Sequence, residues 1–185
     1  MSQSIRTIRL REVLAPGEAY QVARTDHPPS HPLSEHVHDF SELFWVERGE
    51  GWHLINGRRV KLRPGHLVLM RPSDRHGYRP TPPTGFTIVN IAFDSRVLDD
   101  LRERYFASAP WPWEGGHTPA AFDLPGSSID RLREGAERLS TGPADRLNLD
   151  GFLLQLLQVV TRRDRPAEAD DLPEWLSRAL IAFAQ

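Results

Sequence analysis

The chain has 185 residues, 39% hydrophobic and 26% charged, which is the composition of a globular domain able to build a core of its own. A net charge of −2 provides no basic field for nucleic acid or an anionic membrane, and the absence of cysteine excludes disulfides and thiolate metal sites, leaving only His, Asp or Glu to hold a metal. No apolar run reaches the roughly 18 residues of a membrane span and no signal-peptide core is visible, so a cytoplasmic protein without a membrane partner is expected.

Residues 1–35 read as an N-terminal arm with one short strand near Ala19–Arg24 and a proline-marked end, His27-Pro28-Pro29-Ser30-His31-Pro32. Residues 36–94 carry short β segments separated by turns. The segments are His36–Glu47, Trp52–Ile55, Arg59–Leu62, His66–Met70 and Phe86–Phe93. Between them lie Arg48-Gly49-Glu50-Gly51, the hairpin signal Asn56-Gly57, a turn at Pro64-Gly65 and a loop over Arg71–His76. Short, regularly spaced strands with no helix between them predict a mainly β sandwich or barrel.

The period becomes helical over residues 95–163. One helix is predicted from a Ser95 cap to Phe106, a second from Ser127 or Ser128 to about Leu139, and a third from Asp145 to Arg163. The third carries Leu149, Phe152, Leu153, Leu156, Leu157 and Val160, a wider stripe than one helix needs against its own barrel. It can pair with a second copy across a two-fold axis, giving a homodimer, or pack on the sheet. Residues 164–171 read as a polar linker, and residues 172–185 open an amphipathic helix that stops without a cap, as the start of a further domain would.

Side chains alternate along a strand, so His36, His38, Glu42 and Phe44 share a face. If that face is interior, two imidazoles and a carboxylate meet in one cavity, and His76 is a fourth candidate from a later strand. Neutral imidazoles and one carboxylate suit a divalent ion such as Zn, Ni, Fe or Mn, and leave positions open for a ligand's oxygens. The plainer alternative is a set of hydrogen-bonded polar residues in a ligand cavity with no metal. Asn90 interrupts the apolar strand FTIVNIAF and shares parity with Ile88 and Phe86, which predicts a cavity-facing amide. Arg71 is either a loop brace or an anion contact. Trp45 alternates away from His38 and Glu42 toward the outer helices, and Trp111 and Trp113 either lid the cavity or anchor their loop.

The order H-x-H-x3-E-x6-G resembles the first motif of the cupins, matched by His36, His38, Glu42 and Gly49. Pro64, Gly65 and His76 resemble the second motif more loosely; the usual glycine before the first motif is Ser30 here, and the usual closing asparagine is Pro80. The stretch ELFWVERGEGWHLINGRRVKLRPGHLVLMRPSDRHGY is similar to the N-terminal sensor domain of AraC-type transcription regulators, in the branch that includes the regulator of chitobiose utilisation. The resemblance covers about residues 20–170, and LPEWLSRALIAFAQ resembles the segment that opens the helix-turn-helix domain.

That resemblance implies a cupin (double-stranded β-helix, jelly-roll) barrel followed by C-terminal α-helices. It implies a small effector, a sugar or phosphosugar, inside the barrel; a homodimer formed through the helices; and DNA contact only through a domain beyond Gln185. Effector contacts are implied at Arg48, Tyr78 and Asn90, the last an amide where the family has an aromatic. Phe44, Ile88 and Arg71 complete the expected ligand set. The expected role is a sensor without catalytic residues. The rival reading is a metal-dependent cupin enzyme, a dioxygenase or sugar isomerase or lyase, in which the same four ligands are catalytic.

Overall fold

The structure is a computed structural model that describes residues 5–161. The expected linker (164–171) and the opening of a further helix (172–185) lie outside the described residues. In chain order the elements are β1 (Arg6–Ile8), α1 (Leu10–Val13), β2 (Tyr20–His27), β3 (Leu33–His38), β4 (Ser41–Gly49), β5 (Gly51–Ile55), β6 (Arg58–Leu62), β7 (His66–Met70), β8 (His76–Pro80), β9 (Phe86–Phe93), α2 (Arg96–Tyr105), β10 (Ala120–Asp123), α3 (Gly126–Thr141) and α4 (Arg146–Thr161). Two five-stranded sheets form, β1-β3-β8-β5-β6 and β10-β7-β4-β9-β2, and they close on each other as the expected cupin barrel with helices after it.

The stretch His36–Glu47 is not one strand. It bends at Asp39-Phe40 and passes from the first sheet to the second. Local bonds replace the ladder at the bend: the Leu10 amide donates to Asp39 Oδ1 at 2.7 Å, and His38 Nδ1 bonds the Phe40 carbonyl at 2.7 Å. Beyond the bend, β4 is buried on both faces. Phe44 and Val46 point into the barrel with Val68, Met70 and Ile88, whereas Leu43 and Trp45 point outward to a second core with Leu67, Ile91 and Phe93. This two-sided burial is why β4 and β9 read as nearly continuous apolar runs. Gly49, which ends the first motif, has φ +77°, and a Cβ there would fall on the Gly85 carbonyl.

All three long helices cover the outer face of the second sheet. Leu98 and Leu101 of α2, Leu132 of α3 and Leu153 of α4 belong to one core with Trp45. Gly135 lets α3 and α4 cross closely, since a Cβ there would lie 2.8 Å from Phe152 Cδ2. The wide stripe of α4 is consumed by this packing: Leu149, Leu153 and Leu156 are each 0% exposed, so the stripe is not the free dimerisation surface expected of it. A single helix required so much apolar surface because it is wedged between a sheet and a second helix.

Strand β10 was not expected. It is four residues long and exists by pairing with the edge of β7, Ala121 opposite Val68. The preceding loop is anchored, not lid-like. Trp113 Nε1 donates to the Met70 carbonyl at 3.2 Å, and Trp111 stacks on Trp113 with ring centroids 6.2 Å apart. Among the described residues no helix is long and apolar enough to cross a membrane.

Replacing Leu156 by Ala removes a fully buried side chain from this monomer core. Chemical denaturation is expected to show a loss of about 2–5 kcal/mol; a loss below about 1 kcal/mol would contradict the packing described.

Candidate functional site

Between the sheets, where β1 and β3 face β2 and β9, lies a cavity of about 200 Å³. The first sheet contributes His36, His38, His76 and Tyr78; the second contributes Glu42, Ile88, Asn90 and His27; Ile8 and Val13 of the arm close one side. Register explains the clustering. β3 and β8 pair with His36 opposite His76, so alternate residues of these strands put rings into one chamber, and β5 pairs with β8 so that His53 packs against His76 and Tyr78 without lining it. The His36 and His76 ring centroids are 4.4 Å apart, His38 and His76 5.2 Å, and His53 and His76 5.5 Å.

The hydrogen bonds set the tautomers. His36 Nδ1 faces the Ser34 carbonyl at 3.1 Å and His38 Nδ1 the Phe40 carbonyl, so both carry their proton on Nδ1 and present an Nε2 lone pair. His53 Nε2 and His76 Nδ1 share a bond of 3.3 Å. The buried atoms left without a partner include His38 Nε2, His76 Nε2, His27 Nε2, Tyr78 OH and Asn90 Oδ1. All five belong to residues that line this cavity. Burial holds every imidazole here neutral: it lowers His27, His36 and His38, takes His53 down to about 3, and takes His76 well below the ordinary histidine value. Burial pushes Glu42 up to about 7, with a hydrogen bond from Asn90 pulling it back, and raises the Tyr78 phenol well above its ordinary value.

Seven of the ten expected site residues therefore line the cavity: His36, His38, Glu42, His76, Tyr78, Ile88 and Asn90. Three do not. Arg48 is turned out by a β-bulge between Val46 and Arg48, and its side chain is 66% exposed in an ion pair with Asp26. Arg71 is a loop brace, donating to Asp74 and to the Gly115 and Gly116 carbonyls. Phe44 lies in the inner core, edge-on to His53 at 5.3 Å and to Tyr78 at 5.6 Å. Sequence reasoning missed His27 and His53. The parity of His53 between Trp52 and Leu54 was available as a signal; His27 was assigned to the arm because prolines follow it directly.

The donor set fits the expected divalent ion in part. An imidazole whose Nδ1–H is held by a carbonyl while Nε2 stays free is how ligating histidines are oriented, and His36 and His38 have that arrangement. The orphaned Nε2 atoms of His38 and His76 fit the same role. Glu42 fits less well, since it belongs to the opposite sheet and bonds Asn90. Among the described residues no group of three His, Asp or Glu side chains is gathered as ligands to one ion. A larger open groove of about 730 Å³ runs along α1 beside Arg9, Leu14 and Asp39, but none of its lining residues has an orphaned buried polar atom.

Residues 18–157 match the family described as the AraC-like ligand binding domain. The chain belongs to that family. It is 28% identical over 176 residues to the HTH-type transcriptional activator RhaS of Escherichia fergusonii, covering 92% of this chain and 62% of that protein. It is 27% identical over 177 residues to the HTH-type transcriptional activator RhaR of Salmonella arizonae, covering 94% of this chain and 61% of that protein. The chain thus spans about three fifths of the length of the curated relatives it matches. Among solved structures, apo ToxT of Vibrio cholerae shares the fold, with a TM-score of 0.60 and 12% identity over 83% of this chain and 60% of that one.

The buried imidazoles make stability depend on pH. A histidine depressed below 6.5 in the fold contributes stability that is complete above that value and is lost as pH falls toward its folded value. Glu42, raised from 4.5 to about 7, acts in the opposite sense across the same window. Five imidazoles (His27, His36, His38, His53 and His76) outweigh one carboxylate. Urea denaturation is expected to show stability falling between about pH 6.5 and 4.5, and His53→Leu is expected to flatten that slope; a flat wild-type profile would contradict the neutral cluster.

Proposed function

We propose that this chain is the effector-sensing part of a cytoplasmic transcription regulator, that its effector occupies the barrel cavity, and that the effector is a sugar of monosaccharide size. One observation carries the reading: five buried polar atoms on residues lining one cavity have no protein partner. Such atoms are rare in native folds, and leaving each unpaired costs about 1–3 kcal/mol. A polyol bound there would supply their partners.

Size and charge narrow the class. A cavity of about 200 Å³ is smaller than drug-sized pockets of roughly 300–1,000 Å³, which favours a monosaccharide over a disaccharide. Among the described residues no Lys or Arg lines it, so a phosphosugar would find no side-chain counter-charge. The arm supplies the route to regulation. Ile8 and Val13 touch the cavity, while the arm itself is held by three parallel β pairs and by Asp39. An effector that adds contacts to the closed arm shifts its population and, by linkage, whatever the arm touches.

The relatives named as HTH-type activators support a regulator over an enzyme, with DNA contacted through a helix-turn-helix domain and not through the described residues. A divalent ion is retained as part of the proposal. The free Nε2 atoms of His38 and His76 would hold it with the effector's own oxygens, since no third side chain is gathered beside them among the described residues, and it would supply a Lewis-acid site for the effector's hydroxyls. Homodimerisation is retained as well, through a surface other than the buried stripe of α4.

Thermal-shift titration with mono-, di- and phosphorylated sugars tests the reading. A monosaccharide is expected to raise the melting temperature, and Asn90→Leu to weaken its binding about tenfold or more. Stabilisation by phosphosugars alone, or an Asn90→Leu variant with unchanged affinity, would overturn it. Elemental analysis of untagged protein, with His38→Ala as the control, tests the ion: near-stoichiometric metal lost in the variant is expected.

A further inference from the structure

We propose that the effector carries a protonated amine, as an amino sugar or an amino alcohol does, and that Glu42 receives it. The inference rests on the effector-binding reading above and adds the charge of the ligand.

Among the described residues Glu42 is the only formally charged one lining the cavity, and it is 8% exposed. Other deeply placed carboxylates in the described chain have cations. Asp74 is paired with Arg71, and Glu47 with Arg24 and Arg133. Glu42 forms no ion pair among the described residues, and its side-chain hydrogen-bond partner is the Asn90 amide. A buried carboxylate is normally paired, because leaving it unpaired is strongly unfavourable. Here the missing partner is on the side that opens into the ligand cavity.

The neighbouring polar atoms point the same way. With its Nδ1 proton given to the Phe40 carbonyl, His38 offers only a lone pair at Nε2. Asn90 Oδ1, an acceptor, is orphaned, and among the described residues no Lys or Arg lines the chamber. The lining is therefore rich in acceptors and lacks a cation. An ammonium group is the complement: three donors, no acceptor, one positive charge. A ligand phosphate or carboxylate would instead face the like charge of Glu42 with no Lys or Arg among the lining residues to offset it, and be rejected.

The test uses untagged, EDTA-treated protein and calorimetric titration with matched pairs that exchange one hydroxyl for an ammonium: glucose and glucosamine, galactose and galactosamine, mannose and mannosamine. At least one amino member is expected to bind about tenfold tighter than its hydroxyl twin at neutral pH. Glu42→Gln is expected to bring the two members within a factor of about two. The N-acetyl derivative, neutral and read on the wild type, is expected to lose the preference, so the outcome does not depend on the variant folding. Equal or tighter binding of the hydroxyl twin, or a preference that survives Glu42→Gln or acetylation, would overturn the amine assignment while leaving the sensor reading intact. A preference that appears only when metal is restored would assign the charge recognition to the ion and overturn it for Glu42. Binding of other neutral sugars with no response to any pair would also overturn it; silence toward every sugar would overturn both readings.

Discussion

A strand buried on both faces has nowhere to hide a polar side chain. β4 and β9 are in that position, with helices α2–α4 sealing one side and the barrel interior on the other. Polar residues at their inward positions must pair with each other, with the opposite sheet, or with a bound molecule. Glu42 and Asn90 pair in part, and the imidazoles opposite pair in part, yet the sum leaves unsatisfied atoms on residues around one cavity. The chamber follows from how the two sheets face each other, and its chemistry follows from which inward positions are not apolar.

Much of this was legible in the sequence because alternation is a local rule. His36, His38, Glu42 and Asn90 reach the cavity as parity requires, even though the strand predicted to carry the first three is broken at Asp39-Phe40. The break crosses from one sheet to the other without leaving the cavity, so the conclusion survives an incorrect strand boundary. Arg48 shows where alternation fails: one bulged residue between Val46 and Arg48 inverts the face, and no local pattern announces it. The α4 stripe failed differently. Its width was read correctly, but a helix wedged between a sheet and a second helix and a helix paired with another copy have the same apolar pattern, and only tertiary contacts distinguish them. β10 was invisible because four residues acquire strand geometry from the neighbour they pair with.

In the proposed sensor, recognition and regulation would meet over a short distance. The arm's β1 adds to the edge of the first sheet beside β3, the strand that carries His36 and His38, and the same arm touches the cavity through Ile8 and Val13. Asp39, at the bend that brings β4 into place, also ties down α1. Few bonds hold the arm compared with the sheets, so in the proposed sensor its closure would be the step that the free energy of a small ligand is large enough to bias.

The side-chain amide signals of Asn90, followed by NMR while the protein is titrated with whichever monosaccharide stabilises it, test the central claim most directly. The account predicts that these signals and the ring signals of Tyr78 and His27 shift together and saturate with the ligand. Shifts confined to Arg9, Leu14 and Asp39 along the outer groove, with Asn90 unmoved, would contradict it.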